Sequence, residues 1–251
     1  MIGMMDWGIG GLSVYQALRT QRSTADVLYF SDSGFTPYGK LSREKLRERF
    51  TKIAEWFQRR EITRVLVACH SASSALSPGP LTGAEHFGDI AFHSIIPAAR
   101  RAVARSQARR VGVIGGVLTI QSRTYERALA GLERHVEYQP AQPLSAFVEA
   151  GALDTPEVEA EITDLLAKFG RLDALLLACT HYPALSPVFR RIAGDLELLD
   201  PGAEMAGTIQ ESGSSRLEFF TTGRHDDSVL AARLAFGVVL NEQSDPAPFL
   251  K

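Results

Sequence analysis

The sequence predicts an α/β protein of two pseudo-symmetric lobes with mostly parallel sheets, and an active site in the cleft between them. Three observations predict it. Short, continuous apolar runs alternate with segments of helical spacing, the pattern of βαβ units whose strands are covered on both faces. IGMMDWGIGGLSVYQALRT from Ile2 can be laid on VGVIGGVLTIQSRTYERALAG from Val111, at an offset of 109. Two strands end in Ala-Cys, at Cys69 in RVLVACHSAS and at Cys179 in DALLLACTHYP, at an offset of 110. Two features of different kind repeating at nearly one offset favour duplicated halves over the composition that any two βαβ units share. The first lobe is expected at 1–95 plus 208–251 and the second at 96–207.

The apolar runs Ile2–Met5, Val27–Phe30, Val65–Ala68, Ile90–Ile96, Val111–Ile114, Ala174–Ala178 and Leu196–Leu199 read as strands. Helical spacing covers Leu12–Arg19, Arg43–Arg59, Pro97–Arg105, Gln121–Leu132, Val158–Phe169 and Pro187–Ile192. Ser228–Leu240 reads as a final helix. Pro246 and Pro248 make 241–251 a loose tail.

Composition narrows the function classes. The 251 residues are 45% hydrophobic and 22% charged, with a net charge of −2, which is ordinary for a globular chain. No run of five like charges offers a footprint for nucleic acid or an anionic membrane. The most basic stretch, ARSQARR from Ala104 to Arg110, lacks interleaved aromatics and reads as a solvated helix end. No apolar run approaches the ~20 residues that span a bilayer. MIGMMDWGIGG lacks the basic start of a signal peptide, so a cytoplasmic protein is expected. Two cysteines make no disulfide framework, and both are expected to be free thiols.

Each cysteine closes an apolar strand just before polar residues, and in open α/β sheets ligands gather at such strand ends. Duplicated lobes facing each other would set Cys69 and Cys179 on opposite walls of one cleft. Two thiols flanking a bound carbon can act as paired base and acid, one removing a proton and the other delivering one to the opposite face. That inverts a stereocentre, and it needs thiol pKa values tuned by neighbours. His181, in the CTHYP turn, is a candidate to orient or activate Cys179. For His70, directly after Cys69, that role and a loop-bonded histidine stay equally open. Cys69, His70, Cys179 and His181 could be read as zinc ligands. Adjacent residues rarely both ligate and no CxxC spacing occurs, so no metal is expected.

DWGIGG, Asp6 to Gly11, joins the first strand to the first helix. Its glycines would let backbone approach a ligand and the helix N-terminus would favour an anion. The dinucleotide pattern fails, because Ser13 stands where a third glycine belongs and Asp26 opens the second strand instead of closing it. Asp6 then reads as a polar group aimed into the cleft, or as a turn cap. In the loop SDSGFTPYGKLS, Pro37-Tyr38-Gly39 can present the Tyr38 or Gly39 N–H to a carboxylate, though a plain turn explains it equally.

Taken in order, DWGIGG, PYG, VACHSAS, the VGVIG…T…S…Y segment, FVEAG, ACTHYP and LDPGAE resemble the glutamate racemases over about residues 2–240. The resemblance implies a cofactor-independent enzyme with two pseudo-symmetric lobes, each supplying one cysteine base. It implies Cys69 and Cys179 as the bases, assisted by Asp6 and His181, and matches Glu149 to an acidic residue of the site region. It implies that Tyr38 and Gly39 hold a side-chain carboxylate, that Pro37, Trp7, His70, Ser71 and Glu149 belong to the substrate site, and that Thr119 and Thr180 contact carboxylates. The substrate it implies is a small amino acid, D- or L-glutamate, with D-glutamate destined for peptidoglycan; a homodimer stays open.

The departures fall on the polar shell. Trp7 stands where the family usually has serine, and His70-Ser71 where it has asparagine-threonine. Gly115-Gly116 stands where the family has alanine-threonine, Ile96 where it has glutamate and Pro201 where it has serine. Histidine cannot make the hydrogen bonds of an amide, and Trp7 is bulkier than serine. Besides glutamate racemisation, the sequence therefore leaves open another substrate such as aspartate, a binding protein that has lost turnover, and a cysteine hydrolase or lyase. Retention of both cysteines weighs against the last two.

Overall fold

The computed structural model describes residues 1–76 and 84–241. In the first part of the chain, β1 (Ile2–Asp6), α1 (Leu12–Thr20), β2 (Val27–Ser31) and a 3-10 turn at Tyr38–Lys40 lead into α2 (Arg43–Gln58). β3 (Arg64–Val67), α3 (His70–Ala75), β4 (Ala84–Phe87), β5 (Ile90–Ser94) and α4 (Ile96–Arg105) follow. Next come β6 (Arg110–Gly115), α5 (Val117–Gln121), α6 (Thr124–Leu129), β7 (His135–Pro140), α7 (Pro143–Glu149) and α8 (Pro156–Leu166). β8 (Ala174–Ala178), a 3-10 turn at Tyr182–Leu185, α9 (Ser186–Ala193), β9 (Glu197–Leu199) and α10 (Pro201–Ala206) complete that part. The chain then returns through β10 (Leu217–Thr221) and α11 (His225–Phe236).

Two sheets result. The first runs β10-β2-β1-β3-β5-β4 and is parallel except for the β4–β5 pair. The second, β7-β6-β8-β9, is parallel throughout. The stretch β2-β1-β3-β5 of the first matches β7-β6-β8-β9 of the second strand for strand. This is the duplication that the 109–110 offset implied. β1, β2 and β8 are buried at every position, which explains their unbroken apolar runs. One hydrophobic cluster runs through both halves, joining Ile2, Val14 and Leu18 to Ile114, Leu177, Tyr182 and Phe189.

Several expected elements change. The strand from Ile90 stops at Ser94, whose Oγ accepts the Ile96 N–H at 3.1 Å; Pro97 then occupies the first turn of α4, where its missing N–H costs nothing. The helix expected over Gln121–Leu132 becomes α5 and α6. Arg123 adopts φ 56°, and Ser122 Oγ donates to Thr119 O and accepts the Thr124 N–H, so local side-chain bonds interrupt the turn. β4, β7, β10, α3, α7 and α10 were not expected. β7 is an edge strand carrying His135 and Glu137, α3 is only six residues long and half serine, and α10 starts with Pro-Gly. α11 ends at Phe236, where Gly237 turns left-handed at φ 64°. The tail from 242 lies outside the described residues. Among the described residues, no helix is long and apolar enough to cross a membrane.

Candidate active site

Asp6, Cys69 and Cys179 gather at the carboxyl ends of β1, β3 and β8. Asp6 is the last residue of β1 and is 1% exposed. Its Oδ1 accepts the Trp7 N–H at 2.6 Å and its Oδ2 accepts the Thr180 hydroxyl at 2.6 Å. Burial raises its pKa, partly offset by the His181 charge and by hydrogen bonds from Thr180, Cys69 and Trp7. Cys69 caps α3 and is buried. Burial pushes its thiol well above the ordinary value, the neighbouring Asp6 carboxylate pushes it further, and the Ala72 N–H opposes. Cys69 is thereby held as the thiol.

The surroundings of Cys179 are opposite in sign. Its Sγ lies 3.6 Å from His181 Nδ1, and His181 Nε2 lies 2.6 Å from Glu149 Oε1. That same oxygen accepts the Ile9 N–H at 3.0 Å. Burial disfavours a charged ring at His181, but bonding to Cys179 and Glu149 outweighs it and holds the imidazolium well above its usual range. Burial likewise works against the Glu149 carboxylate, and the His181 partnership lowers its pKa nonetheless. The Cys179 sulfur therefore faces a cation that is braced from behind by a carboxylate.

At the glycine turn, side chains from the second half of the chain approach the backbone closely. A Cβ at Gly8 would collide with Glu149 Oε1, and one at Gly10 would sit 2.5 Å from His181 Nδ1 and 2.6 Å from Thr180 Oγ1. The turn is thin so that both thiols' partners can cross to it.

The remaining expected residues line the same seam. His70 is buried, its ring stacks on Tyr125 at 25° with centroids 5.9 Å apart, and its Nδ1 is hydrogen-bonded to the Tyr125 hydroxyl. Burial lowers its pKa to about 3, so it is neutral at working pH. Its ring is therefore engaged with Tyr125. Ser71 Oγ meets Thr119 Oγ1 at 3.1 Å. Trp7 donates its indole N–H to Phe35 O at 2.9 Å. Tyr38 follows Pro37 in the 3-10 turn, and its hydroxyl donates to Asp32 Oδ2 at 2.7 Å. Gly39 faces Gln142, whose Oε1 also accepts the Val117 N–H at 3.2 Å. Glu149, expected against substrate, is placed behind His181, and Thr180 donates to Asp6. Tyr125, Gln142, Asp32 and Arg49 escaped the sequence reading. Tyr125 alone had a signal, the closing tyrosine of the VGVIG…T…S…Y segment.

No family model matches the chain. The glutamate racemase of Streptococcus pneumoniae serotype 19F (strain G54) is 30% identical over 238 residues, covering 90% of this chain and 85% of that one. The crystal structure of glutamate racemase isoform RacE1 from Bacillus anthracis is 27% identical, with a TM-score of 0.82 over 98% of both chains. The glutamate racemase from Thermus thermophilus, in complex with β-chloro-D-alanine, is 27% identical with a TM-score of 0.79, covering 97% of this chain and 96% of that one. The protein is thus an isomerase of the racemase class, with a duplicated α/β fold. More narrowly, the chain belongs to the glutamate racemase family.

Proposed function

We propose that this chain interconverts L- and D-glutamate in the cytoplasm by a two-base mechanism that uses Cys69 and Cys179 and no cofactor, and that its D-glutamate serves peptidoglycan synthesis. One observation carries the reading: the thiols have neighbours of opposite charge, Asp6 at Cys69 and His181–Glu149 at Cys179. In one direction the Cys179 thiolate removes the Cα proton and the Cys69 thiol delivers its own to the opposite face. In the other direction the roles exchange. We take the lobes as 1–95 plus 208–251 and 96–207, with the substrate at their junction. Substrate contacts are assigned to the Tyr38 and Gly39 N–H groups, positioned by Pro37, and to Trp7, His70, Ser71, Thr119 and Thr180 at the walls. Glu149 acts through His181. The amino-acid analogue bound to the Thermus thermophilus enzyme supports an amino acid here.

A second reading, the same chemistry on another amino acid, draws on His70 and Trp7, which are bonded to Tyr125 and to the Phe35 carbonyl. The test is Cα inversion followed by circular dichroism on L-glutamate, L-aspartate and L-alanine. Glutamate is expected to racemise fastest. Faster turnover of aspartate would replace the substrate assignment, and inversion of none would overturn the activity.

A further inference from the structure

Outside the two thiol systems, one buried ionic cluster has no part in the chemistry above. Arg49 of α2 and Asp32, just past β2, form an ion pair at 2.6 Å with side chains 3% and 0% exposed. Arg49 grips both carboxylate oxygens, Nε to Oδ2 at 2.8 Å and Nη2 to Oδ1 at 2.6 Å. The Tyr38 hydroxyl and Thr222 Oγ1 donate to the same carboxylate at 2.7 and 3.0 Å. Thr222 Oγ1 in turn accepts the Gly34 N–H at 3.0 Å. Withdrawing two charges from water is costly, and apolar packing would fill such a space at least as stably. The pair needs a reason beyond stability.

Its connections supply one. The Asp32 N–H donates to Asp6 O at 3.0 Å, which ties the cluster's backbone to the strand end that carries the Cys69 partner. The Phe35 N–H donates to Asp32 O, the Arg49 guanidinium stacks 4.2 Å over the Phe35 ring, and Phe35 O receives the Trp7 indole. The segment from Asp32 to Tyr38 is therefore pinned at both ends and in the middle. Tyr38 and Cys69 share one apolar cluster.

We propose that the Arg49–Asp32 pair is a positioning element for substrate recognition: acting through Tyr38, it fixes the Pro37-Tyr38-Gly39 turn and so sets affinity for the substrate's side-chain carboxylate without touching it. The inference rests on the function proposed above, in which that turn binds the carboxylate. A bidentate guanidinium fork is needed because four donors must converge on one carboxylate in fixed directions, and a lysine ammonium presents no such fork.

The test uses Arg49→Lys, which keeps the charge, and Thr222→Val, which removes the hydroxyl that donates to Asp32 and accepts the Gly34 N–H. Amide hydrogen exchange is read over residues 35–41, together with steady-state racemisation of D- and L-glutamate. Arg49→Lys is expected to speed exchange in that segment with the rest of the chain protected as in the wild type. KM for glutamate is expected to rise about tenfold, with kcat changed less than about twofold. Thr222→Val should do the same to a smaller degree, and it decides the matter if Arg49→Lys does not fold. Unchanged exchange over 35–41, or a fall in kcat at constant KM, would overturn the proposal. Should the wild type turn over no glutamate, the proposed function fails by itself, and the exchange measurement alone then decides whether Arg49–Asp32 holds the turn.

Discussion

Cys69 and Cys179 close matching strands of two like-ordered sheets, yet one looks onto an anion and the other onto a cation. Beside Cys69 stands Asp6, which with burial holds the proton on sulfur. Beside Cys179 stands His181, braced by Glu149 and held as the imidazolium. The two like-ordered sheets make a symmetric frame, and one neighbour on each side, Asp6 or His181, breaks its symmetry. A site that inverts a carbon needs one base and one acid at any instant, and two identical thiol environments would give neither assignment a preference. Both auxiliaries are also clasped across the seam, Asp6 by Thr180 and Glu149 by the Ile9 N–H. Each thiol's neighbour is thus held in place by a residue of the opposite half.

Breaking either side should be most visible at the sulfur. Cys69→Ser and Cys179→Ser should each lower kcat for racemisation by at least about 10²-fold, since a weak hydroxyl replaces a proton-transfer group. A single mutant at wild-type rate would show that two thiols are not required. His181→Asn should follow, with kcat down about 10-fold or more; kcat at the wild-type value would show that the histidine bonded to Cys179 takes no part.

Asp6 offers a sharper contrast, because its effects on activity and stability are opposed. Its folded pKa is raised above the ordinary 3.8. Its stabilising contribution is therefore complete only below that value and is lost as pH rises through the folded one. Asp6→Asn should raise Tm at pH 7 while kcat falls; a lower Tm would mean that the ionised form is well compensated. His70 has the reverse sign. Its folded pKa, lowered to about 3 from 6.5, gives stability that is present above pH 6.5 and lost as pH falls toward 3. His70→Asn should flatten the acid limb of a Tm-versus-pH curve. The smallest effect is expected from Tyr125→Phe, about 1 kcal/mol by urea unfolding, for one lost buried hydrogen bond.

Much of this polarity was legible in the sequence and part of it was not. β8 was read to the residue, and the strands ending near Cys69 and Cys179 stood out because strands buried on both faces are continuously apolar. His181 could be linked to Cys179 because only Thr180 separates them. Glu149 could be named through FVEAG but not given its work, since its contact with His181 spans 32 positions. The glycines of DWGIGG signalled close approach without naming what approaches. β7 and β10 escaped because edge strands carry charged and exposed residues that blur the period. Arg49 and Asp32 were hidden for a different reason. A charged residue on an amphipathic helix reads as solvated, and only the fold brings its buried partner within reach.

The central claim is that one thiolate takes the Cα proton while the other thiol returns a solvent-derived one to the opposite face. Racemisation in D2O, followed by proton NMR and chiral separation, measures this directly. Starting from protiated L-glutamate, the D-glutamate formed early should carry deuterium at Cα while the remaining L-glutamate stays protiated. D-glutamate that retains the original proton, or deuterium entering the unreacted L-glutamate as fast as product forms, would contradict the account.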